Sequence, residues 1–224
     1  DAFCMPLSLT FGFLFLSKTF PSLKALNKSH VINGYATVEG QVLNINAGKI
    51  IGCVYNGNIN VKEPARLFAE SVNYCIQQGE GNLIIDGGTF TESSTDVSSC
   101  LYISASKDDD RTFVINDGKF LGFKFAIRTD IPVTINNAYL YVADTYYGLE
   151  CSKGATIKNA VIKGANGIEG SSGELNIDYV DIDTNGIGIK YHGGEANIYD
   201  ANIRSKGVAI HNDCTWSSQE KGIF

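Results

Sequence analysis

The sequence predicts an all-β chain, a right-handed parallel β-helix solenoid of about seven coils with a short N-terminal cap and an extra N-terminal strand. Three observations carry this. A six-residue motif recurs seven times with a basal period near 20 residues. A second short apolar element follows almost every copy. The composition holds 24 Gly and one Met, with Ile, Asn, Thr, Tyr and Phe plentiful, which suits strands joined by tight turns.

The motif is an Ile, two turn-prone residues, a small residue, any residue, then a large apolar one. It reads Ile45-Asn-Ala-Gly-Lys-Ile50, Ile85-Asp-Gly-Gly-Thr-Phe90 and Ile115-Asn-Asp-Gly-Lys-Phe120, then Ile135-Asn-Asn-Ala-Tyr-Leu140 and Ile157-Lys-Asn-Ala-Val-Ile162. Ile177-Asp-Tyr-Val-Asp-Ile182 and Ile198-Tyr-Asp-Ala-Asn-Ile203 complete the series, with starts separated by 40, 30, 20, 22, 20 and 21 residues. The second element is Leu101-Tyr-Ile103, Phe125-Ala-Ile127, Leu149-Glu-Cys151, Ile187-Gly-Ile189 or Val208-Ala-Ile210, with Ile168-Glu-Gly170 a weaker member. A leucine-rich repeat has a similar period but needs a helical return, and the Gly, Asn, Asp and β-branched residues here leave no room for one. Inward columns are expected through Ile157, Ile177 and Ile198, and through Cys151, Ile189 and Ile210. Enlargements are expected at Tyr55 to Pro64, Ser71 to Asn82, Thr91 to Ser99 and Ser104 to Arg111.

Ahead of the solenoid, residues 1–30 divide into two elements. Leu7, Leu9, Phe11, Phe13 and Phe15 alternate along an apolar run, the period of a strand with one greasy face. The run is too short to cross a bilayer and has no basic residues before it, so it reads as a mature segment and an assembly element, not a signal peptide or a span. Phe20 to Lys28 is expected to form a short capping helix, with Phe20, Leu23 and Leu26 at helical spacing and Ser22 as N-cap. The sequon Asn27-Lys28-Ser29 makes Asn27 a candidate glycosylation site. The solenoid itself is expected over 31–215. Residues 216–224 form a C-terminal tail, whose Trp216 is a candidate plug for the last coil.

Composition narrows the function classes. A net charge of −6 with no basic run argues against nucleic acid as partner. Six cysteines occur without any Cys-x-x-Cys pair, and His30, His192 and His211 occupy unrelated coil phases, so no metal and no cofactor are expected. Asp108, Asp109 and Asp110 are flanked by Lys107 and Arg111, which suits a solvated turn better than a calcium loop.

Ile85-Asp-Gly-Gly-Thr-Phe90 and Ile115-Asn-Asp-Gly-Lys-Phe120 resemble the corners of the pectate-lyase-like superfamily of β-helices, nearest to its non-catalytic surface and tail-fibre members. The resemblance covers about residues 40 to 212 and is one of architecture. It implies a β-helix and admits polysaccharide chemistry, but the Asn-Thr-Asp, Asp-Asp, Gly-His-Gly and Arg-Ile-Lys motifs of polygalacturonases are absent.

Stacking the repeats suggests one weak catalytic site. Lys163, Asp183 and Arg204 fall in one outward column, beside Val161, Asp181 and Asn202. Asp181 and Asp183 would lie roughly 7 Å apart along one strand face, a carboxylate spacing that inverting glycosidases use, with Lys163 or Arg204 as a lyase base. A charge ladder holding neighbouring strands together is the simpler account. The minimal C-terminal coils have no long loops to wall a cleft, although Tyr139, Tyr141, Tyr146 and Tyr147 could stack on a glycan. The expected function is therefore a non-catalytic structural protein, extracellular or at a cell surface (alternatively on a virion), that self-assembles as a homo-oligomer or filament. The alternative is a polysaccharide-active β-helix: a lyase, glycosidase or tail-spike depolymerase.

Overall fold

The structure is a computed structural model that describes residues 25–27, 31–33, 36–37, 42–69, 73–92, 99–105, 110–122 and 124–212. These form strands and turns only, and every strand pairs in parallel with its equivalents on the adjacent coils, those of the first and last described coils on one side only.

Three stacks result. The first runs through Ala25–Leu26, Val42–Ile45, Asn58–Val61, the leading halves of Leu83–Glu92 and Phe113–Gly122, then Val133–Asn136, Ala155–Lys158 and the leading halves of Glu174–Thr184 and Glu195–Ser205. The second begins with Val31–Asn33, Lys49–Ile51 and Arg66–Ala69. It then uses the trailing halves of Leu83–Glu92 and Phe113–Gly122, the leading halves of Ala138–Cys151 and Val161–Gly170, and the trailing halves of the last two long strands. The third comprises Ala36–Thr37, Val54–Tyr55, Ile76–Gln78, Ser99–Ile103, Phe125–Thr129, the trailing halves of Ala138–Cys151 and Val161–Gly170, then Ile187–Tyr191 and Val208–Asn212. Nine members per stack make about eight turns, roughly 38 Å from first to last at ~4.8 Å per step.

Alternation of side chains fills the interior. Ile45, Val61, Ile85, Ile115, Ile135, Ile157 and Ile177 are in register and fully buried, and Ile198 continues the column at its end. The second stack contributes Leu67, Phe90, Phe120, Leu140, Ile162 and Ile182, with the Phe90 and Phe120 rings stacked at 4.7 Å. Each such side chain contributes about 1.5–3 kcal/mol by leaving water. Outside, amides bond from coil to coil: the Nδ2 of Asn46, Asn60, Asn136 and Asn197 donates to the Oδ1 of Asn27, Asn44, Asn116 and Asn176 at 2.6, 2.9, 3.2 and 3.1 Å.

Corners follow the expected chemistry. Ala138, Ala160 and Val180 are buried at the small position, and each is preceded by a left-handed residue, Asn137, Asn159 and Tyr179 at φ 44°, 50° and 53°. Elsewhere, Gly170 leaves the space that the buried Tyr191 ring fills, since a Cβ there would stand 2.7 Å from that ring. The Tyr191 hydroxyl donates to the Gly173 carbonyl at 2.5 Å.

Three expectations are corrected. The interval between Ile45 and Ile85 holds an additional complete coil, Asn58–Val61, Arg66–Ala69 and Ile76–Gln78, where loops at Tyr55 to Pro64 and Ser71 to Asn82 were expected. Its corner, Val61-Lys62-Glu63-Pro64-Ala65-Arg66-Leu67, is one residue longer than the motif and so escapes a six-residue search. Ala25–Leu26, inside the expected capping helix, is a strand paired with Asn44 and Ile45. Cys151 does not share a column with Ile189 and Ile210: Leu149, Ile168, Ile189 and Ile210 are in register, whereas Cys151 aligns with Gly170 and Tyr191.

The last described coil differs from those before it. Val208 and Ile210 are 47% and 41% exposed, Ile198 and Ile203 are half-buried, and among the described residues no strand pairs with the outer edge of Glu195–Ser205 or Val208–Asn212. No helix of the described residues is long and apolar enough to cross a membrane.

Candidate functional site

The expected charged columns form as read. Asp183 lies between Lys163 and Arg204, and Asp181 between Val161 and Asn202. One Nη of Arg204 bonds both oxygens of Asp181, at 3.1 and 3.2 Å, and lies 3.7 Å from Asp183. All three side chains are a third to a half exposed on a flat strand face. The arrangement is a cross-coil ion pair, a contact worth about 0.2–1 kcal/mol when solvated.

A second polar column was not read from the sequence. It occupies the outer face of the third stack, where Tyr102, Arg128, Glu150, Glu169, Lys190 and His211 are in register over six coils. Their inward neighbours Leu101, Ile127, Leu149, Ile168 and Ile189 hold the backbone fixed, so the alternation of the strands aims these groups outward. Arg128 Nε lies 3.0 Å from Glu150 Oε1. Lys190 Nζ donates to Glu169 Oε1 at 3.1 Å, and His192 Nε2 reaches the same oxygen at 3.1 Å. Asp130 accepts from the Tyr102 hydroxyl at 3.3 Å and from Ser152 Oγ at 3.0 Å. Tyr74 stacks on Tyr102 at 5.2 Å.

The two carboxylates of this column have different environments. Burial pushes the Glu150 carboxyl above its ordinary value and the Glu169 charge adds to this, while Arg128 opposes it. Glu169 has two cationic partners, Lys190 and, when protonated, His192. Tyr147 is pushed up to about 12 by burial, then by the charges of Glu169 and Glu150. The sequence did contain the signal. Aligning Leu149 with Ile168 and Ile189, instead of aligning Cys151 with Ile189, places Glu150, Glu169 and Lys190 in one column.

The remaining candidates are placed as follows. Asn27 is exposed, with its Oδ1 accepting from Asn46. Leu7, Leu9, Phe11, Phe13, Phe15, Trp216 and Asp108 lie outside the described residues. Tyr139, Tyr141, Tyr146 and Tyr147 all belong to Ala138–Cys151, with Tyr141 and Tyr146 40% and 41% exposed. Thr156, Lys158, Asn176, Asp178 and Tyr199 line a recess on the first stack, which includes no member of either charged column. Among the described residues no three His, Cys, Asp or Glu side chains are grouped to hold a metal.

No protein-family model, curated protein or solved structure matches the chain. The fold expected from the resemblance to pectate-lyase-like β-helices is present as an all-parallel solenoid; assignment to that superfamily has no match behind it.

Proposed function

We propose that this chain is a non-catalytic structural protein, extracellular or at a cell surface, that assembles by stacking rods end to end. The observation that carries this reading is the last coil, where Val208 and Ile210 are exposed and, among the described residues, no strand pairs with the outer edge of Glu195–Ser205. Edges of this kind template pairing with another chain unless they are blocked. A second copy continuing the stacks would satisfy the strand edges and bury the apolar residues in one step. The N-terminal run Leu7–Leu16 is a second means of joining subunits, by strand donation.

The test is the size of the wild type and of a Val208→Lys, Ile210→Lys double variant by light scattering across a dilution series. Assembly in the wild type and a folded monomer in the variant support stacking. A wild type that stays monomeric at every concentration overturns it. Deleting residues 1–19 separates the two means of joining, because only donation depends on that run.

The second column favours an alternative of a different class. Glu150, with its raised pKa, and Glu169, held by cations, are adjacent carboxyls with divergent environments, the pattern of an acid and its base partner. A polysaccharide-cleaving activity that disappears in Glu169→Gln would replace the structural reading with this one.

A further inference from the structure

Three of the chain's cysteines form a ladder inside the third stack. The backbone N–H of Val54 donates to the Cys75 carbonyl and that of Cys75 to the Cys100 carbonyl, each at 2.9 Å, so Cys53, Cys75 and Cys100 occupy the same position on three successive coils. The next coils carry Ala126, Gly148, Gly167, Gly188 and Ala209 at this position, so the corner takes only small side chains. All three thiols are fully buried.

The ladder is not symmetric. Cys53 Sγ turns back onto its own coil, 3.6 Å from the Val54 carbonyl. Cys75 Sγ instead bridges two coils, 3.6 Å from the Leu67 carbonyl of its own and 3.4 Å from the Thr91 carbonyl of the next. That next coil carries Cys100, whose Sγ lies 3.7 Å from the carbonyl of Phe90, the residue before Thr91. In-register Cα atoms on neighbouring strands stand about 4.8 Å apart, inside the roughly 4.4–6.8 Å that bridged cysteines span.

We propose that Cys75 and Cys100 are a disulfide site that staples two coils of the solenoid, closed by exchange with a small-molecule disulfide while the coils are still open. A thiolate of the pair attacks the external disulfide, forming a mixed disulfide and releasing one small thiolate. The other cysteine's thiolate then attacks the protein sulfur and expels the second. The two protons lost by the cysteines end on the two released thiols, so one external disulfide is reduced for each protein disulfide formed. Burial pushes the Cys100 thiol up, and both thiols of the pair are shut off from solvent in the closed coils, so an external disulfide has no access to them once the rod is stacked. The staple lies where the coils depart furthest from minimal length: Leu83 to Phe113 takes 30 residues, Phe113 to Val133 only 20.

The test refolds the full chain in a mixture of oxidised and reduced glutathione, blocks free thiols in denaturant, cleaves after glutamate and maps linked peptides by mass. Glu80 and Glu92 lie between the two cysteines, so the linked pair separates on reduction. The expected result is a Cys75–Cys100 linkage, retained in Cys53→Ala, and a denaturant midpoint that falls when the chain is reduced. Full alkylation of Cys75 and Cys100 after oxidative refolding overturns the proposal, as does a Cys53–Cys75 linkage.

Discussion

Glu150 sits between an arginine on one coil and a second glutamate on the next, and burial raises its pKa. A carboxyl whose folded pKa exceeds its unfolded value disfavours the folded state when ionised, and this penalty is relieved as pH falls through the folded pKa. Glu150→Gln should therefore be more stable than the wild type near neutral pH, with the difference shrinking as the pH is lowered through the raised Glu150 pKa. Thermal melts of the two proteins over a pH series check this. Tyr179 offers a second test at this scale. It holds φ 53° with its side chain 64% exposed, where the two preceding coils use Asn137 and Asn159. A left-handed non-glycine residue costs roughly 1–2 kcal/mol, least for Asn, so Tyr179→Asn should raise stability by up to about 1 kcal/mol in denaturant titrations. Gly164 points the other way. Its φ is 120°, and a Cβ would stand 1.9 Å from the Val142 carbonyl oxygen, so Gly164→Ala should cost at least about 1–3 kcal/mol.

At the scale of the strand, energy lies inside the stacks and not in the charges on their faces. Phe120→Ala removes a ring stacked on Phe90 in a fully buried column and should cost about 3–5 kcal/mol. Arg204→Ala breaks only the exposed contacts to Asp181 and Asp183 and should cost under about 1 kcal/mol. Chemical denaturation of both variants tests the contrast. The same contrast explains what was legible in the sequence. Six-residue corners with a fixed small position are dictated by backbone geometry, so five of the motif's seven Ile starts continue one buried column without a break, from Ile85 to Ile177. The coil at Asn58–Gln78 was hidden because Pro64 sits in a corner lengthened by one residue, and Val61 stands where the motif has Ile. The column of Glu150 and Glu169 was hidden by a two-residue slip, which keeps every inward residue inward because strand side chains repeat with period two. Such a slip leaves the apolar pattern intact while misassigning every outward neighbour, and the polar site depends on those neighbours alone.

For the whole molecule, the described residues make about eight turns whose interior columns are buried along their length and more exposed at the last described coil. Ile177 is fully buried, Ile198 one coil later is partly exposed, and Ile210 is 41% exposed. The proposed assembly rests on this gradient, because a solenoid's stability comes from neighbour contacts and this coil has a neighbour on one side alone among the described residues. Electron microscopy of the purified chain at rising concentration tests the claim most directly. Continuous rods several times longer than the roughly 38 Å that eight ~4.8 Å steps allow one chain, shortened to single units by Val208→Lys with Ile210→Lys, are the predicted result. Isolated particles of one chain's length at every concentration would contradict it.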